Sequence, residues 1–189
     1  MPEAANVGGV ERAERELHKP SNQRFSLPRA ALIGVGIGML LGTIADPPRV
    51  RLLWNTSASA PIGLYRILPE APLEVGDMVA ARAPEGARKL AAVRGYLPSS
   101  VPLVKRIAAL ERSRVCASGA KIMIDGRTVV HRQKRDRMGR AMPWWTGCRR
   151  LQPGQLLLLN RAAASFDSRY FGPVERTAIL GKAVLLWQR

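Results

Sequence analysis

Asn55-Thr56-Ser57-Ala58-Ser59-Ala60-Pro61-Ile62-Gly63-Leu64-Tyr65-Arg66 divides this chain of 189 residues into two unlike parts. Within the stretch, two serines alternate with small residues and then meet Pro61 and Gly63, so the backbone is punctuated rather than regular. Small side chains let a second backbone come close. A hydroxyl held in such a place is a candidate nucleophile, but it needs a base to remove its proton. Taken alone, a Ser/Pro/Gly cluster is more ordinarily a surface turn. Its weight comes from what lies on either side.

Upstream, Ala30 to Ala45 (AALIGVGIGMLLGTIA) carries no charge over sixteen residues, and Asp46-Pro47-Pro48 stops it. As a helix it spans roughly 24 Å, a little short of a hydrocarbon core of about 30 Å. Leu27 and Pro28 extend the apolar stretch if Arg29 snorkels toward the headgroups. Gly34, Gly36 and Gly38 are better tolerated in a membrane helix than in a soluble one. A cleaved signal peptide and a buried core helix are the competing readings. A long acidic leading region, and only a partial small-x-small site at Thr43-Ile44-Ala45, weaken the signal peptide. Residues 30–46 are therefore expected to form one transmembrane anchor with the lipid bilayer as partner. Residues 1–29 hold five Lys/Arg and four Glu and read as a polar tail, with a helical turn or two at most from Val10 to Leu17. Lys19, Arg24 and Arg29 face Arg49 and Arg51 across the span, and that balance does not settle orientation.

Downstream, short apolar runs are broken by Gly, Pro and Asp. Gly76 to Ala81 reads as a turn entering a strand, and Ala87 to Val93 as a short helix. Leu103 to Leu110 has the β-branched look of a buried strand. Lys121 to Val130 reads as a hairpin, because Asp125-Gly126 between apolar runs suits a type I′ turn. Arg132 to Arg140 is a charged loop. Gln155 to Asn160 and Ala178 to Trp187 add two more strands. The expected fold is mainly β.

The chain has 30 Lys+Arg against 14 Asp+Glu, a formal net charge of +16, almost all of it beyond Asp46. Such a domain meets nucleic acid, anionic lipid or acidic protein, or simply comes from an Arg-rich genome. Two cysteines, Cys116 and Cys148, and two histidines, His18 and His131, are too few for a closed zinc site, so no metal or cofactor is expected. The cysteines read as one disulfide in an exported domain or as two inert thiols in a cytosolic one.

A Ser-His-Asp triad is nearly excluded, since His131 is the only histidine of the domain and sits beside a run of Arg and Lys. The remaining way to activate a serine is a lysine held neutral near pH 7 by desolvation. Lys105 is the unusual lysine. Val104 and Ile107 flank the Lys105-Arg106 pair, and strand alternation sends the two side chains to opposite faces. A third cluster is Ser165-Phe166-Asp167-Ser168-Arg169-Tyr170-Phe171-Gly172-Pro173-Val174. If extended, it places Ser165, Asp167 and Arg169 on one face, where an Asp–Arg pair pins a loop and Ser165 orients an amine.

Together these segments resemble the membrane-bound Ser-Lys signal peptidases: anchor, serine box, Gly-Asp strand, Lys-Arg strand and Asp-Ser-Arg-Tyr-Phe-Gly box come in that family's order. SASAPIGLYR, with the GCRRL…LLLLN…SFDSRYFGPV ending, is similar to the TraF-like, conjugative-transfer branch, and the resemblance covers most of residues 50–189. It implies a signal-peptidase-type β catalytic domain at 47–189, outside the cytoplasmic membrane, with one N-terminal transmembrane helix and a cytoplasmic tail. It implies Ser59 as nucleophile, Lys105 as general base, and Ser57 with the Ser59 N–H as oxyanion donors. Ser165 would orient the Lys105 amine, with Asp167 and Arg169 as supports. Two departures stand out. Ala60 replaces the family's usual Met, and Glu111-Arg112-Ser113 replaces Pro-Gly-Asp.

The expected function is a serine endopeptidase that cuts exported precursors beside their membrane segment, the substrates being pilin-like or other conjugative-transfer (type IV secretion) proteins, with joining of new ends as a further outcome. A housekeeping signal peptidase is the second enzyme reading. The reading of another class is a membrane-tethered basic module that binds DNA through Arg132–Arg140, but nucleic acid is not the expected partner. A self-cleaving Ser-Lys repressor would carry a DNA-binding helix-turn-helix where this chain has an apolar run.

Overall fold

Antiparallel pairing organises everything after Val50 in a computed structural model of the protein, which describes residues 27–45 and 50–189. The chain divides into two units, Met1–Pro48 and Arg49–Arg189. The expected tail at 1–29, with its helical turn from Val10 to Leu17, lies outside the described residues except for 27–29. In the first unit, helix α1 runs over Leu27–Ala45, three residues earlier than the apolar run itself. Side chains are described for 31–41, and Leu32, Ile33, Val35, Ile37, Met39 and Leu41 are all exposed. Among the described residues, no helix is long and apolar enough to cross a membrane. Helix α1 covers residues 30–45 of the span expected at 30–46.

The second unit runs β1 (Leu52–Asn55), β2 (Gly63–Leu68), β3 (Met78–Ala81), α2 (Glu85–Val93), β4 (Leu103–Ala109) and β5 (Arg114–Ser118). It continues with β6 (Lys121–Ile124), β7 (Arg127–His131), β8 (Gly147–Arg150), β9 (Gln155–Leu158), α3 (Ser168–Phe171), β10 (Val174–Glu175) and β11 (Ile179–Gln188). Seven strands form one sheet in the order β1-β2-β11-β3-β4-β9-β10, and four form another in the order β7-β6-β5-β8. The domain is mainly β.

Sequence pattern accounts for most of this. Asp125 and Gly126 both take positive φ, 48° and 82°, as a type I′ turn requires, and they connect β6 to β7. Alternation in β4 puts Lys105 and Ile107 on one buried face and Val104 with Arg106 on the other, where Val104 is buried and Arg106 points to solvent. The large sheet carries two apolar clusters, one around Tyr65, Ile67, Ala80, Val104 and Ala183, the other around Val79, Ile107, Leu156 and Leu158. Ala60, where the family usually has Met, packs into the first. Gly63 and Gly181 lie where strands touch. A Cβ at Gly63 would meet the Trp187 carbonyl oxygen at 2.0 Å, and one at Gly181 the Leu68 backbone at 2.7 Å.

One reading changes. The Ser165–Val174 cluster is not extended throughout: Asp167 caps the short helix α3 by accepting the Arg169 N–H at 3.1 Å. An Asx cap of this kind stops the alternation that the spacing suggests. The charged loop after β7 folds on itself, with Arg135 bridged to Ala141. At the Glu111-Arg112-Ser113 turn, Arg112 adopts φ 72°, a left-handed conformation that a glycine would take without strain. Cys116 and Cys148 face each other across β5 and β8 and form a disulfide.

Candidate active site

The serine stretch leaves β1 at Asn55, turns, and re-enters the sheet at Gly63. Asn55 holds the turn from inside. Its amide donates to the carbonyls of Ser57 (3.0 Å), Ala60 (3.3 Å) and Pro61 (2.9 Å), and its oxygen accepts the Ser57 N–H at 3.1 Å. Tyr65 adds a hydroxyl bond to the Pro61 carbonyl at 2.8 Å. A buried amide that satisfies four backbone groups makes one rigid loop out of residues with little propensity of their own.

Lys105 reaches this loop from β4. Only 2% exposed, its Nζ lies 2.8 Å from Ser59 Oγ and 2.8 Å from Ser165 Oγ. Burial pushes the amine down to about 8; the Asp167 carboxylate opposes that shift and the Arg169 guanidinium adds to it. Ser57 Oγ is 3.0 Å from Ser59 Oγ and accepts the Ser59 N–H at 3.4 Å. The structure thus brings Ser57, Ser59, Lys105 and Ser165 together. His131 is not among the residues lining this cleft.

Asp167 and Arg169 stand behind the amine, both fully buried. The guanidinium grips the carboxylate through two bonds, Nε to Oδ1 at 2.8 Å and Nη2 to Oδ2 at 3.0 Å. Its remaining N–H groups go to the carbonyls of His131, Ala163 and Asn160, so all five donors are used. This satisfied pair fixes the segment that carries Ser165.

Sequence reasoning missed Asn55, Asn160, Tyr96 and Asp136. Asn160 bonds the backbone of Val104 and Arg106, on either side of Lys105. Tyr96 donates to Asp136, forty residues away. The asparagines left one faint trace, each ending an apolar strand. The Tyr96–Asp136 contact left none.

Chemically, the arrangement offers a hydroxyl, an amine with a depressed pKa and a second hydroxyl that absorbs one amine N–H. These line one cleft of about 450 Å³. A neutral amine that donates to Ser165 keeps its lone pair for the Ser59 proton.

Residues 24–188 match the family described as signal peptidase, peptidase S26, and the chain belongs to that family of peptidases. It is 37% identical over 139 residues to the conjugal transfer protein TraF of Agrobacterium fabrum, covering 68% of this chain and 78% of that protein. The plasmid transfer protein TraF of Escherichia coli is 31% identical over 174 residues, covering 85% of this chain and 97% of that protein. Among solved structures, a signal peptidase I from Enterococcus faecalis V583 aligns over 59% of this chain and 97% of its own, at 16% identity and a TM-score of 0.35.

Proposed function

We propose that the protein is a membrane-anchored serine endopeptidase that works with a Ser59–Lys105 dyad on precursors of a conjugative-transfer apparatus. One observation carries the reading: a buried amine, lowered to about 8, lies 2.8 Å from Ser59 Oγ. Neutral Lys105 takes the Ser59 proton as Oγ attacks the scissile carbonyl. The Ser59 N–H and the Ser57 hydroxyl stabilise the developing oxyanion. Lys105 then protonates the leaving amine, and the acyl-enzyme passes to water or to an amine, giving hydrolysis or joined ends. Relatives named for conjugal and plasmid transfer support the substrate class.

Three features support a site at the outer membrane surface of the cytoplasmic membrane. The uncharged run Ala30–Ala45 lies on α1, and the apolar side chains described there are exposed. Leu52, Trp54, Val184 and Trp187 share an exposed face of the large sheet, Trp54 stacks on Trp187 at 5.5 Å, and Trp54 also lines the cleft. The disulfide suits an oxidising compartment.

The test is processing of a transfer precursor by Ser59→Ala, Lys105→Ala and Lys105→Arg at matched expression. All three should be inactive, since a guanidinium stays protonated in any protein. Wild-type processing by Lys105→Arg would overturn the dyad.

A further inference from the structure

One wall of the cleft is built from the loop between β7 and β8, and its construction is specific. The loop closes as a small hairpin, with Asp136 N–H on the Arg140 carbonyl (2.9 Å) and Met142 N–H on that of Lys134 (2.9 Å). Asp136 sits at its centre and accepts the N–H groups of Met138 and Arg140, each at 2.9 Å, the Arg140 guanidinium at 2.7 Å and the Tyr96 hydroxyl. Burial opposes ionisation of this carboxyl, but those donors together hold it well below the usual carboxylate range. Arg94, from the end of α2, adds a bond to the Ala141 carbonyl at 2.9 Å. At the loop's other root, Gln133 N–H donates to Tyr170 OH at 3.0 Å, which ties the wall to the segment that holds Ser165. The wall is therefore fastened at both ends to the elements around Lys105.

Its charge is unbalanced. Arg94, Arg135, Arg137 and Arg140 line the cleft, and Asp136 is the only carboxylate that does so. Asp136 answers Arg94 and Arg140. Arg135 finds the Gly139 carbonyl, a neutral acceptor, and Arg137 makes no hydrogen bond or ion pair among the described residues. Arg135 and Arg137 are both exposed. Two cations with no counter-charge thus stand on a rigid wall of the cavity that holds Ser59 and Lys105. Leu97, Val101 and Phe166 add apolar lining to the same cavity.

We propose that this arginine wall is a specificity element: the substrate segment that crosses it carries an acidic side chain, paired with Arg137 and Arg135 beside the scissile bond. The inference rests on the reading of this cleft as the proteolytic site. A carboxylate and a guanidinium on a fixed wall match in charge and in fork geometry. Arg135 and Arg137 line the same cleft as Ser59 and Lys105, which favours a peptide in that cleft over a lipid headgroup as their partner.

The test uses the full chain in detergent micelles and peptides with an Ala-x-Ala sequence ahead of the scissile bond. One Glu, Gln or Lys is moved in turn through every flanking position on both sides. At the position that meets the wall, kcat/KM for Glu should exceed that for Gln by about two- to fivefold, with Lys lowest and the preference shrinking as salt rises. Arg137→Gln should bring the Glu-to-Gln ratio toward one, and Arg137→Glu should turn the preference toward Lys. Peptides cleaved with no charge preference at any position would refute the wall and leave the peptidase standing. Binding of the same labelled peptides to Ser59→Ala is read in parallel by fluorescence anisotropy. Arg137-dependent binding of Glu peptides that wild type never cuts would keep the wall and refute the peptidase. No binding preference and no cleavage would count against both. Arg137-dependent attachment to phosphatidylglycerol vesicles, without peptide preference, would assign the arginines to lipid and overturn the inference.

Discussion

Asn160 clamps the backbone of Lys105: its side-chain oxygen accepts the Arg106 N–H at 2.9 Å, and its amide donates to the Val104 carbonyl at 3.2 Å. The N–H of the same residue donates to Asp167 at 3.1 Å. One residue, through its side chain and its backbone N–H, therefore links the strand that carries the amine to the ion pair beside Ser165. Asn160→Ala leaves two buried backbone groups unpaired and should cost on the order of 1–3 kcal/mol of stability. In the variant that still folds, kcat should fall more than KM rises, because the amine rather than the cleft is displaced. Urea unfolding and steady-state kinetics measure both, and an unchanged kcat would remove Asn160 from the positioning role.

Lys105 sets a pH dependence of activity and one of stability. Activity should rise as pH climbs through about 8, where the buried amine loses its proton. For stability, the folded pKa lies below the unfolded value of about 10.4. The unfolded chain thus binds more protons between those values, and stability rises with pH across that window. Below it, the cost of burying the ammonium is fully present, at most about 3 kcal/mol. Lys105→Met should be inactive yet more stable than wild type at pH 7, and should lose that advantage near pH 10.5. Thermal melts at the two pH values decide the matter; a variant less stable at pH 7 would refute it.

Arg112 is a stability defect that a single change should repair. At φ 72° its side chain is strained, whereas glycine takes this conformation freely, at the cost of a looser unfolded chain. Arg112→Gly should gain about 0.5–1 kcal/mol, with catalysis unaltered because the turn lies outside the cleft. Chemical denaturation of the two proteins checks this.

Cys116 and Cys148 are separated by 32 residues. A double Cys→Ser change should remove about 3 kcal/mol, on the chain-entropy account of a loop that size. Neither cysteine lines the cleft, so processing per folded molecule should persist. Thiol labelling without reduction should leave the wild type unmarked.

What was legible in the chain follows physical range. The opposite faces of Lys105 and Arg106 were visible because alternation is local, but which of the two turns inward was not. The turn at Asp125-Gly126 was visible for the same reason. Strand β8, Gly147–Arg150, was not, because all four residues are exposed and no apolar period marks them. Helix α3 was hidden by a cap, since Asp167 bonds a backbone N–H two residues on and so breaks the extended spacing the side chains suggest. Within the cleft, Ser59, Lys105 and Ser165 were legible through box order and the shortage of histidine. Asn55 and Asn160 were not, because their partners are carbonyls and N–H groups that every residue possesses. Tyr96 and Asp136 meet only after the chain folds across forty residues.

The place of β11 between β2 and β3 bears on when the protein becomes dangerous to its neighbours. Ser59 belongs to the β1–β2 hairpin and Lys105 to the β3–β4 pair, and no strand ladder joins these halves except through residues 179–188. Ser59 and Lys105, the proposed nucleophile and base, are thus made early in synthesis but aligned late. A chain still emerging from the ribosome or the translocation channel holds them on two unconnected ribbons. Insertion of the final strand acts as the keystone, so an unfinished copy has no ladder that brings Ser59 to Lys105.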